Sequence, residues 1–508
     1  MPEYYKLTTA EKLKIRTLKE LKAVGYQPES IKDELRRNLI RARAEKRPVF
    51  HGIWGYDQTV IPDIERAILA RHHINLLGLR GQAKTRIARL MVGLLDEVIP
   101  VIAGSEINDD PLQPLSFYAR EQLQKLGDDT PIEWLPREAR YTEKLATPDV
   151  SVADLIGDID PIKAAAMKLS YADERVIHFG LIPRSHRCIF VMNELPDLQA
   201  RIQVALFNIL QEGDIQIRGF KMRLPLDIQF VFTANPEDYT NRGSIITPLK
   251  DRIDSQILTH YPRSRDIAKK ITAQEVHLSQ EQKEKVTVPE LLRDLVEQVA
   301  FEARQSEYVD AKSGVSARLT ISAYEHMVSS AERRCLLCNQ AHTVARLADL
   351  WNIVPAITGK IELVYEGEQE GAGSVARHLI GRAIRSLFRE LFPEPEQIKK
   401  EKMPNPYAPV LEWFSKNDLE LSAEESDRQY QEKLSAVAGL KKAVEIFHKG
   451  LSVEEQLLMM EFLLHGLAEY SQISRKQLNA THQFQDILSG MLGGVAPDEG
   501  DEDSNDIF

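Results

Sequence analysis

The chain is poor in every feature that would tie it to an oxidising compartment, a membrane or a polyanion. Of its 508 residues only 3 are cysteine. Cys335 and Cys338 form a lone C-x-x-C, and with no second pair they fall short of a zinc ligand set. In a helical stretch they read as small buried hydrophobes, and Cys188, opening a strand, reads as core. No apolar run approaches the roughly 20 residues that span a bilayer. The start, Met1-Pro2-Glu3-Tyr4-Tyr5-Lys6, lacks a signal-type apolar segment. A cytoplasmic protein without a membrane segment is therefore expected. Positive charge is also short: 65 Lys and Arg against 76 Asp and Glu leave a net charge of −11, so nucleic acid is not expected as a partner. Internal repeats are absent.

What is present is the composition of a soluble globular chain, 43% hydrophobic and 28% charged, too long for a single core. Residues 1–47 are charged, helical in pattern and low in glycine. Residues 48–260 mix short β-branched runs with helical segments, which predicts an α/β layer. Residues 261–395 read as helical. The prolines of Pro393-Glu394-Pro395 and Met403-Pro404-Asn405-Pro406 suggest a linker. Residues 396–497 read as a further helical extension. There Ser422/Glu425 and Ser452/Glu455 are spaced as capping boxes, and Gly450 is placed to stop the first helix. The run Leu457–Leu467 is apolar almost all round and is expected to be buried. Residues 498–508 form an acidic tail, expected to lack structure.

One segment names a ligand by spacing alone. Gly78-Leu79-Arg80-Gly81-Gln82-Ala83-Lys84-Thr85 reads as a phosphate-binding loop, with Ala83 where a second glycine belongs. Such a loop wraps backbone N–H groups around phosphates, its lysine reaches the β/γ-phosphates and its hydroxyl holds Mg²⁺. The apolar run His73–Leu77 precedes it as a strand would. Ile87, Leu90, Met91, Leu94 and Leu95 follow at helical spacing, and the helix start, with Arg86 in its first turn, adds a positive dipole end. A glycine-containing turn before an amphipathic helix would give the same local pattern, so the rest of the site must arbitrate.

Ile189-Phe190-Val191-Met192 makes a second buried strand with Asn193 and Glu194 at its C-terminal end, where ligands bind in open α/β sheets. The usual pair there is Asp-Glu, the first orienting Mg²⁺ through its water and the second polarising the attacking water. Glu194 keeps the second role. Asn193 can still accept a hydrogen bond from a metal-bound water but brings no charge, so weaker Mg²⁺ affinity is expected. A third strand, Ile228–Ala234, ends at Asn235, a candidate to orient water at the γ-phosphate or, equally, a turn-starting residue before Pro236.

In this order the segments resemble AAA+ ATPases of the magnesium-chelatase I-subunit and MoxR group over roughly residues 48–330. Ile53-Trp54-Gly55-Tyr56 is similar to the family's I-x-G segment against the adenine. Gly-x-x-Gly-x-Ala-Lys-Thr is a common loop form there. Gly104–Pro111, Thr147-Pro148-Asp149 with Leu155–Asp160, and Gly180–Arg187 resemble further chelatase segments. The resemblance implies an AAA+ αβα core with a parallel sheet, an all-α lid and a C-terminal helical extension. It implies a partner-contacting helix-2 insert at about 145–186 and a pre-sensor hairpin at Asp214–Leu224, which alternation with a central glycine also suggests. It makes Asn235 sensor 1, Arg252 an arginine finger acting on the neighbouring subunit's ATP, and Arg318 a sensor 2 acting in cis. Trp54, Gly55 and Tyr56 join residues 78–86 (Gly78, Leu79, Arg80, Gly81, Gln82, Ala83, Lys84, Thr85, Arg86) as nucleotide contacts. Arg184 and Arg187 are weaker candidates.

The expected activity is ATP hydrolysis with ATP and Mg²⁺ as ligands, in a homo-oligomeric ring, a hexamer. The expected job is remodelling or metal-insertion maturation of a protein client, with a von Willebrand A-domain partner. Two alternatives stand beside it: the ATPase subunit of magnesium chelatase, and an ATP-dependent scaffold with little hydrolysis. A transcription activator is disfavoured, because no Gly-Ala-Phe-Thr-Gly-Ala run occurs between 86 and 188.

Overall fold

Apolar runs too short for helices and without polar alternation are strands buried on both faces. In the computed structural model these runs become parallel strands. It describes residues 3–171, 173–217, 223–236, 244–401, 404–478 and 481–487. The acidic tail 498–508 lies outside the described residues. The chain divides into two units, Met1–Tyr261 and Pro262–Phe508.

The first unit contains β1 (Ile74–Leu77), β2 (Val98–Ile102), β3 (Ile132–Pro136), β4 (Tyr141–Leu145), β5 (Gly157–Ile159), β6 (Ile177–Phe179), β7 (Cys188–Asn193), β8 (Asp214–Gln216), β9 (Arg223–Pro225), β10 (Ile228–Ala234) and β11 (Ser255–Leu258). Five form one sheet in the order β11-β1-β10-β7-β4, every neighbour parallel. Successive side chains serve opposite faces. Ile74, Leu76, Ile189, Val191 and Val231 pack with Ile31, Leu35 and Leu39 of the helix Ile31–Ala44 and with Val60, Ile61 and Ile64 of the helix Val60–Leu69. Phe190, Met192, Phe230 and Phe232 pack on the other face with Ile202, Leu206 and Ile209 of the helix Ala200–Glu212. The expected α/β layer with a parallel sheet is thus present, and Ile31, Leu35 and Leu39 belong to its core. The antiparallel pair β8–β9 joins Asp214–Gln216 to Arg223–Pro225, the hairpin expected from alternation; its tip, 218–222, lies outside the described residues. Residues 145–186 carry a second antiparallel pair, β5–β6, with the helix Pro161–Met167 between its strands.

One buried ion pair ties the first long helix to the sheet. Arg140, just before β4, is 1% exposed and donates to both carboxylate oxygens of Glu34 at 2.7 and 2.6 Å. Its Nε donates to the Arg187 carbonyl at 2.9 Å, and Glu34 also accepts the Asp96 N–H at 2.7 Å. Every charge there is matched, which is the condition for such a pair to be tolerated in a core.

The second unit is built on the helices Glu290–Gln305, Arg318–Leu337, Ala372–Leu391 and Val453–Glu469, with a short parallel pair, β12 (Val286–Thr287) and β13 (Thr343–Val344). A single hydrophobic cluster runs from Val286 to Phe484. The expected linker is packed into it: Ile398, on the helix Pro395–Glu401, and Tyr407 are buried, and the Tyr407 hydroxyl donates to the Pro393 carbonyl at 2.8 Å. Ser452 and Glu455 form the expected capping box, and the helix they open is buried along Leu458–Leu467. Ser422 and Glu425 do not open a helix. Ser422 ends β14 (Leu419–Ser422), and the helix Asp427–Ala436 starts instead from a Ser426/Gln429 box. A separate helix, Leu440–Phe447, follows Gly439 at φ 82°, so Gly450 is the C′ stop of neither helix. Nor is the extension all helical: β14, β15 (Ser474–Leu478) and β16 (Thr481–Gln485) form an antiparallel sheet in the order β14-β16-β15. Cys335 is buried and Cys338 half-buried, both free thiols. Among the described residues no helix is long and apolar enough to cross a membrane.

Helix Val453–Glu469 meets Ala372–Leu391 at Gly466, where an added Cβ would lie 2.0 Å from Phe388 Cδ2. Gly466→Ala is therefore expected to destabilise the second unit by about 1–3 kcal/mol. Arg140→Leu, which strands Glu34 in the core, is expected to cost the first unit about 3–5 kcal/mol, and Glu34→Leu/Arg140→Leu to recover most of it. Calorimetric unfolding of the full chain reads both; a double variant no more stable than Arg140→Leu would refute the pair's role.

Candidate functional site

Parallel pairing puts the C-terminal ends of all five strands on one edge. Leu77 pairs with Ala234, so Gly78 and Asn235 leave the sheet side by side. Phe232 pairs with Met192, which brings Thr233 to Asn193.

The loop Gly78–Ala83 joins β1 to the helix Lys84–Leu90. Ala83 takes the left-handed conformation, φ 58° and ψ 17°, which costs an L-residue about 1–2 kcal/mol and accounts for glycine being the usual choice there. Gly78 is fixed by space: an added Cβ would lie 2.0 Å from Thr259 Oγ1 and 2.2 Å from Gln82 Oε1. Those two atoms are themselves bonded, Thr259 donating at 2.6 Å. The Tyr56 hydroxyl is shared between the carbonyls of His260 at 2.7 Å and Gln82 at 3.1 Å. Burial pushes its pKa up to about 12, which keeps it a donor at neutral pH. Tyr261 donates to the Arg80 carbonyl at 2.9 Å. Buried Lys84 donates to the carbonyls of Gly78 and, at 3.0 Å, Leu79. The loop is thus braced from three segments.

Asn193 ends β7 and is buried. Its Oδ1 accepts from Thr233 Oγ1 at 3.1 Å and from Thr85 Oγ1 at 3.4 Å. Its Nδ2 donates to Glu143 Oε1 at 2.7 Å. Two hydroxyls at one end and a carboxylate at the other fix which end of the amide is oxygen. Glu194 follows at φ 54° and ψ 49°, a left-handed backbone that is unfavourable for a residue with a side chain. Its N–H donates to Thr233 Oγ1 at 3.2 Å. Asn235 is buried at 8% exposure, and its Oδ1 has no hydrogen-bond partner among the described residues.

The structure therefore gathers Gly78–Thr85, Asn193, Glu194 and Asn235 at one edge, with Tyr56 against the loop. Trp54 is exposed and Gly55 has φ 80°. Arg86 is half-buried in the first turn after the loop. Arg252 caps the helix Thr247–Asp251 and donates to Gln211 Oε1 at 2.9 Å and the Pro248 carbonyl at 2.7 Å, with its guanidinium 5.2 Å from the Phe207 ring. Arg318 is exposed at the start of a helix in the second unit. Arg187 is buried and bonded to Asp110 at 3.2 Å and the Pro100 carbonyl at 2.7 Å, a structural role. Sequence reasoning misses Glu143, Thr233, Thr259 and Tyr261. Only the alternation of Tyr141, Glu143 and Leu145 hints that Glu143 shares a strand face with its neighbours.

The residues suit a phosphate-bound Mg²⁺. Among the described residues no cluster of three or more His, Cys, Asp or Glu could hold a metal, but Mg²⁺ on phosphates needs few protein ligands. Thr85 supplies a hydroxyl beside the Asn193 oxygen, and the Asn235 oxygen is a buried acceptor with no partner among the described residues.

No family model matches the chain. Two curated proteins described only as uncharacterized, from Mycobacterium tuberculosis and Mycobacterium bovis, are each 26% identical over 219 residues. The match covers 40% of this chain and 38% of each relative, so the chain spans well under half their length. Among solved structures, a complex of magnesium chelatase subunits BchI and BchD is 16% identical, covering 63% of this chain and 98% of that chain at TM-score 0.32. Hsp104 with ATPγS and casein is 13% identical, covering 59% and 48% at TM-score 0.35. RuvB of Thermotoga maritima is 10% identical, covering 75% and 87% at TM-score 0.31. At these TM-scores the likenesses carry no weight for the site.

Gly78→Ala is expected to destabilise the first unit by about 1–3 kcal/mol and to weaken nucleotide binding, because the Thr259–Gln82 brace must open. Ala83→Gly relieves a left-handed alanine and is expected to keep binding, with stability changed by no more than about 1 kcal/mol. Thermal melts and titration with a fluorescent ADP analogue separate the two. Tight binding by Gly78→Ala would remove the loop from the site.

Proposed function

We propose that the first unit binds ATP with Mg²⁺ and hydrolyses it, and that the chain is a ring-forming AAA+ ATPase. The observation that carries this reading is the contact of Thr85 with Asn193. It joins the loop to the strand that ends at Asn193, just before Glu194, and Asn235 follows the adjacent strand β10 with an oxygen that has no hydrogen-bond partner among the described residues.

Each residue then has a task. Backbone N–H groups of Gly78–Ala83 and the helix start bind the phosphates, and Lys84 exchanges its loop carbonyls for phosphate oxygens. Mg²⁺, when bound, offsets charge on the β- and γ-phosphates. Thr85 would hold it, with Asn193 accepting from its water shell. Glu194 polarises the attacking water, and Asn235 orients it. Trp54, Gly55 and Tyr56 are assigned to the base. Arg252, tethered to Gln211 and stacked on Phe207, is assigned to the ATP of the adjacent subunit in a homo-oligomeric ring, a hexamer. Supplied in trans, it couples turnover to assembly. Arg318 is assigned to the γ-phosphate within its own chain.

The work is assigned to a protein client, a von Willebrand A-domain partner in particular, by remodelling or metal-insertion maturation. The chelatase-like segments at 104–111 and 147–160 favour a second reading, an ATPase subunit of magnesium chelatase. Within the first of them, buried Asp109 accepts from Ser116 Oγ at 2.6 Å and Ser105 Oγ at 2.7 Å, which accounts for that aspartate as a turn-former.

Phosphate release by the full chain tests the hydrolytic core. Lys84→Ala is expected to lose nucleotide binding. Glu194→Gln is expected to keep binding and lose turnover by about 10²-fold or more. Arg252→Ala is expected to keep binding, lose about 10³-fold in turnover and regain part of it when mixed with Lys84→Ala subunits. Wild-type turnover in Lys84→Ala would sink the site. Tight ATP binding without phosphate release by wild type would favour the scaffold.

A further inference from the structure

Asn193 lacks the charge of a metal-facing carboxylate, and the carboxylate bonded to it stands on the adjacent strand. Glu143 lies on β4, whose pairing sets Leu145 opposite Asn193 and Glu143 opposite Val191. With a side-chain period of two, Glu143 and Asn193 share a sheet face as diagonal neighbours. Their side chains meet at 2.7 Å. We infer that Glu143 is a positioning residue for Mg²⁺, turning the Asn193 oxygen toward Thr85 and restoring the charge that Asn193 lacks. The inference rests on the Mg²⁺-ATP reading above.

Two physical arguments carry it. First, an amide has one end that attracts a cation and one that repels it. Glu143 accepts from Nδ2, so Oδ1 is the end that faces the hydroxyls of Thr85 and Thr233. Without an acceptor on the β4 side, that preference weakens. Second, a hydrogen bond to a carboxylate polarises the amide and makes its oxygen a stronger acceptor. The Asn193–Glu143 pair then presents to the metal's water shell an oxygen backed by a carboxylate. The carboxylate is itself held: Oε2 accepts from Arg89 Nη2 at 2.9 Å, Arg89 Nε at 3.0 Å and the Tyr141 hydroxyl at 2.9 Å, while Oε1 faces Asn193. Arg89 offsets part of the charge, so the expected effect is graded.

The experiment titrates Mg²⁺ against binding of a fluorescent ADP analogue to the full chain, which needs no turnover. Glu143→Gln keeps an acceptor for Nδ2 but removes the charge. It is expected to need about tenfold more Mg²⁺ for half-maximal effect, with binding in EDTA unchanged within about twofold. Asn193→Asp/Glu143→Gln moves the charge to the adjacent strand and is expected to return within about threefold of wild type. Arg89→Gln, a change at an exposed side chain, removes the offsetting cation and is expected to lower the Mg²⁺ requirement. A wild-type Mg²⁺ requirement in Glu143→Gln, or no recovery in the double variant, overturns the inference while nucleotide binding stands. Failure of the wild type to bind nucleotide overturns both.

Discussion

Leu77 pairs with Ala234 and Phe232 with Met192, both in parallel, and the whole site depends on those two registers. A parallel sheet exposes one kind of strand end along each edge. Every residue just past a strand therefore lands on the same edge. A slip of one residue between β10 and β7 would turn Thr233 from Asn193 and exchange the two core faces at once. The register is defended on both faces. Val191 and Val231 pack with Leu35 and Ile64 of the two helices on one side, and Phe190, Met192 and Phe232 pack with the helix Ala200–Glu212 on the other. Packing far from any ligand thus sets the distances at the site.

That rigidity holds strained backbone in place locally. Ala83 and Glu194 both have left-handed backbone, each a cost on the order of 1–3 kcal/mol. Ala83 ends the loop before the helix Lys84–Leu90, and Glu194 directly follows β7. Braces surround them: Tyr56, Thr259 and Tyr261 on the loop, Thr233 on the Glu194 N–H. Conformations that are unfavourable alone persist because neighbouring hydrogen bonds would be lost on relaxation. The fully matched Glu34–Arg140 pair does similar work at the N-terminal side of β4, anchoring the strand that carries Glu143.

Much of this is legible in sequence, for reasons that also mark the limits. The loop Gly78–Thr85 is marked by local spacing, and β1, β7 and β10 by apolar runs, so sequence alone suffices to bring Lys84, Thr85, Asn193, Glu194 and Asn235 to one sheet edge. Glu143 is not legible this way, because its bond to Asn193 crosses 50 residues and its strand lies at the sheet edge with mixed polarity. Thr259 and Tyr261 escape for the same reason. In the second unit, β15 and β16 are short and polar, so periodicity favours no strand there. The break at Gly439 is a single residue within an otherwise helical pattern, and the prolines at 393–406 suggest a linker because composition cannot report that Ile398 and Tyr407 are buried.

The continuity of the second unit's core bears on how any motion there would travel. Leu319, Ala323 and Met327 on the helix that Arg318 begins belong to the same cluster as Phe388, Phe462 and Phe484. The buried pair Arg334–Asp349, bonded at 2.7 and 2.6 Å, ties that helix to the helix Leu347–Trp351, whose Leu347 N–H donates to buried Glu461 at 3.0 Å. Glu461 in turn accepts from the Tyr430 hydroxyl at 2.8 Å. A close-packed interior transmits displacement and resists shear. The residues beyond 395 therefore share one core with the helix that Arg318 begins, and Phe484 carries the three-stranded sheet into that core.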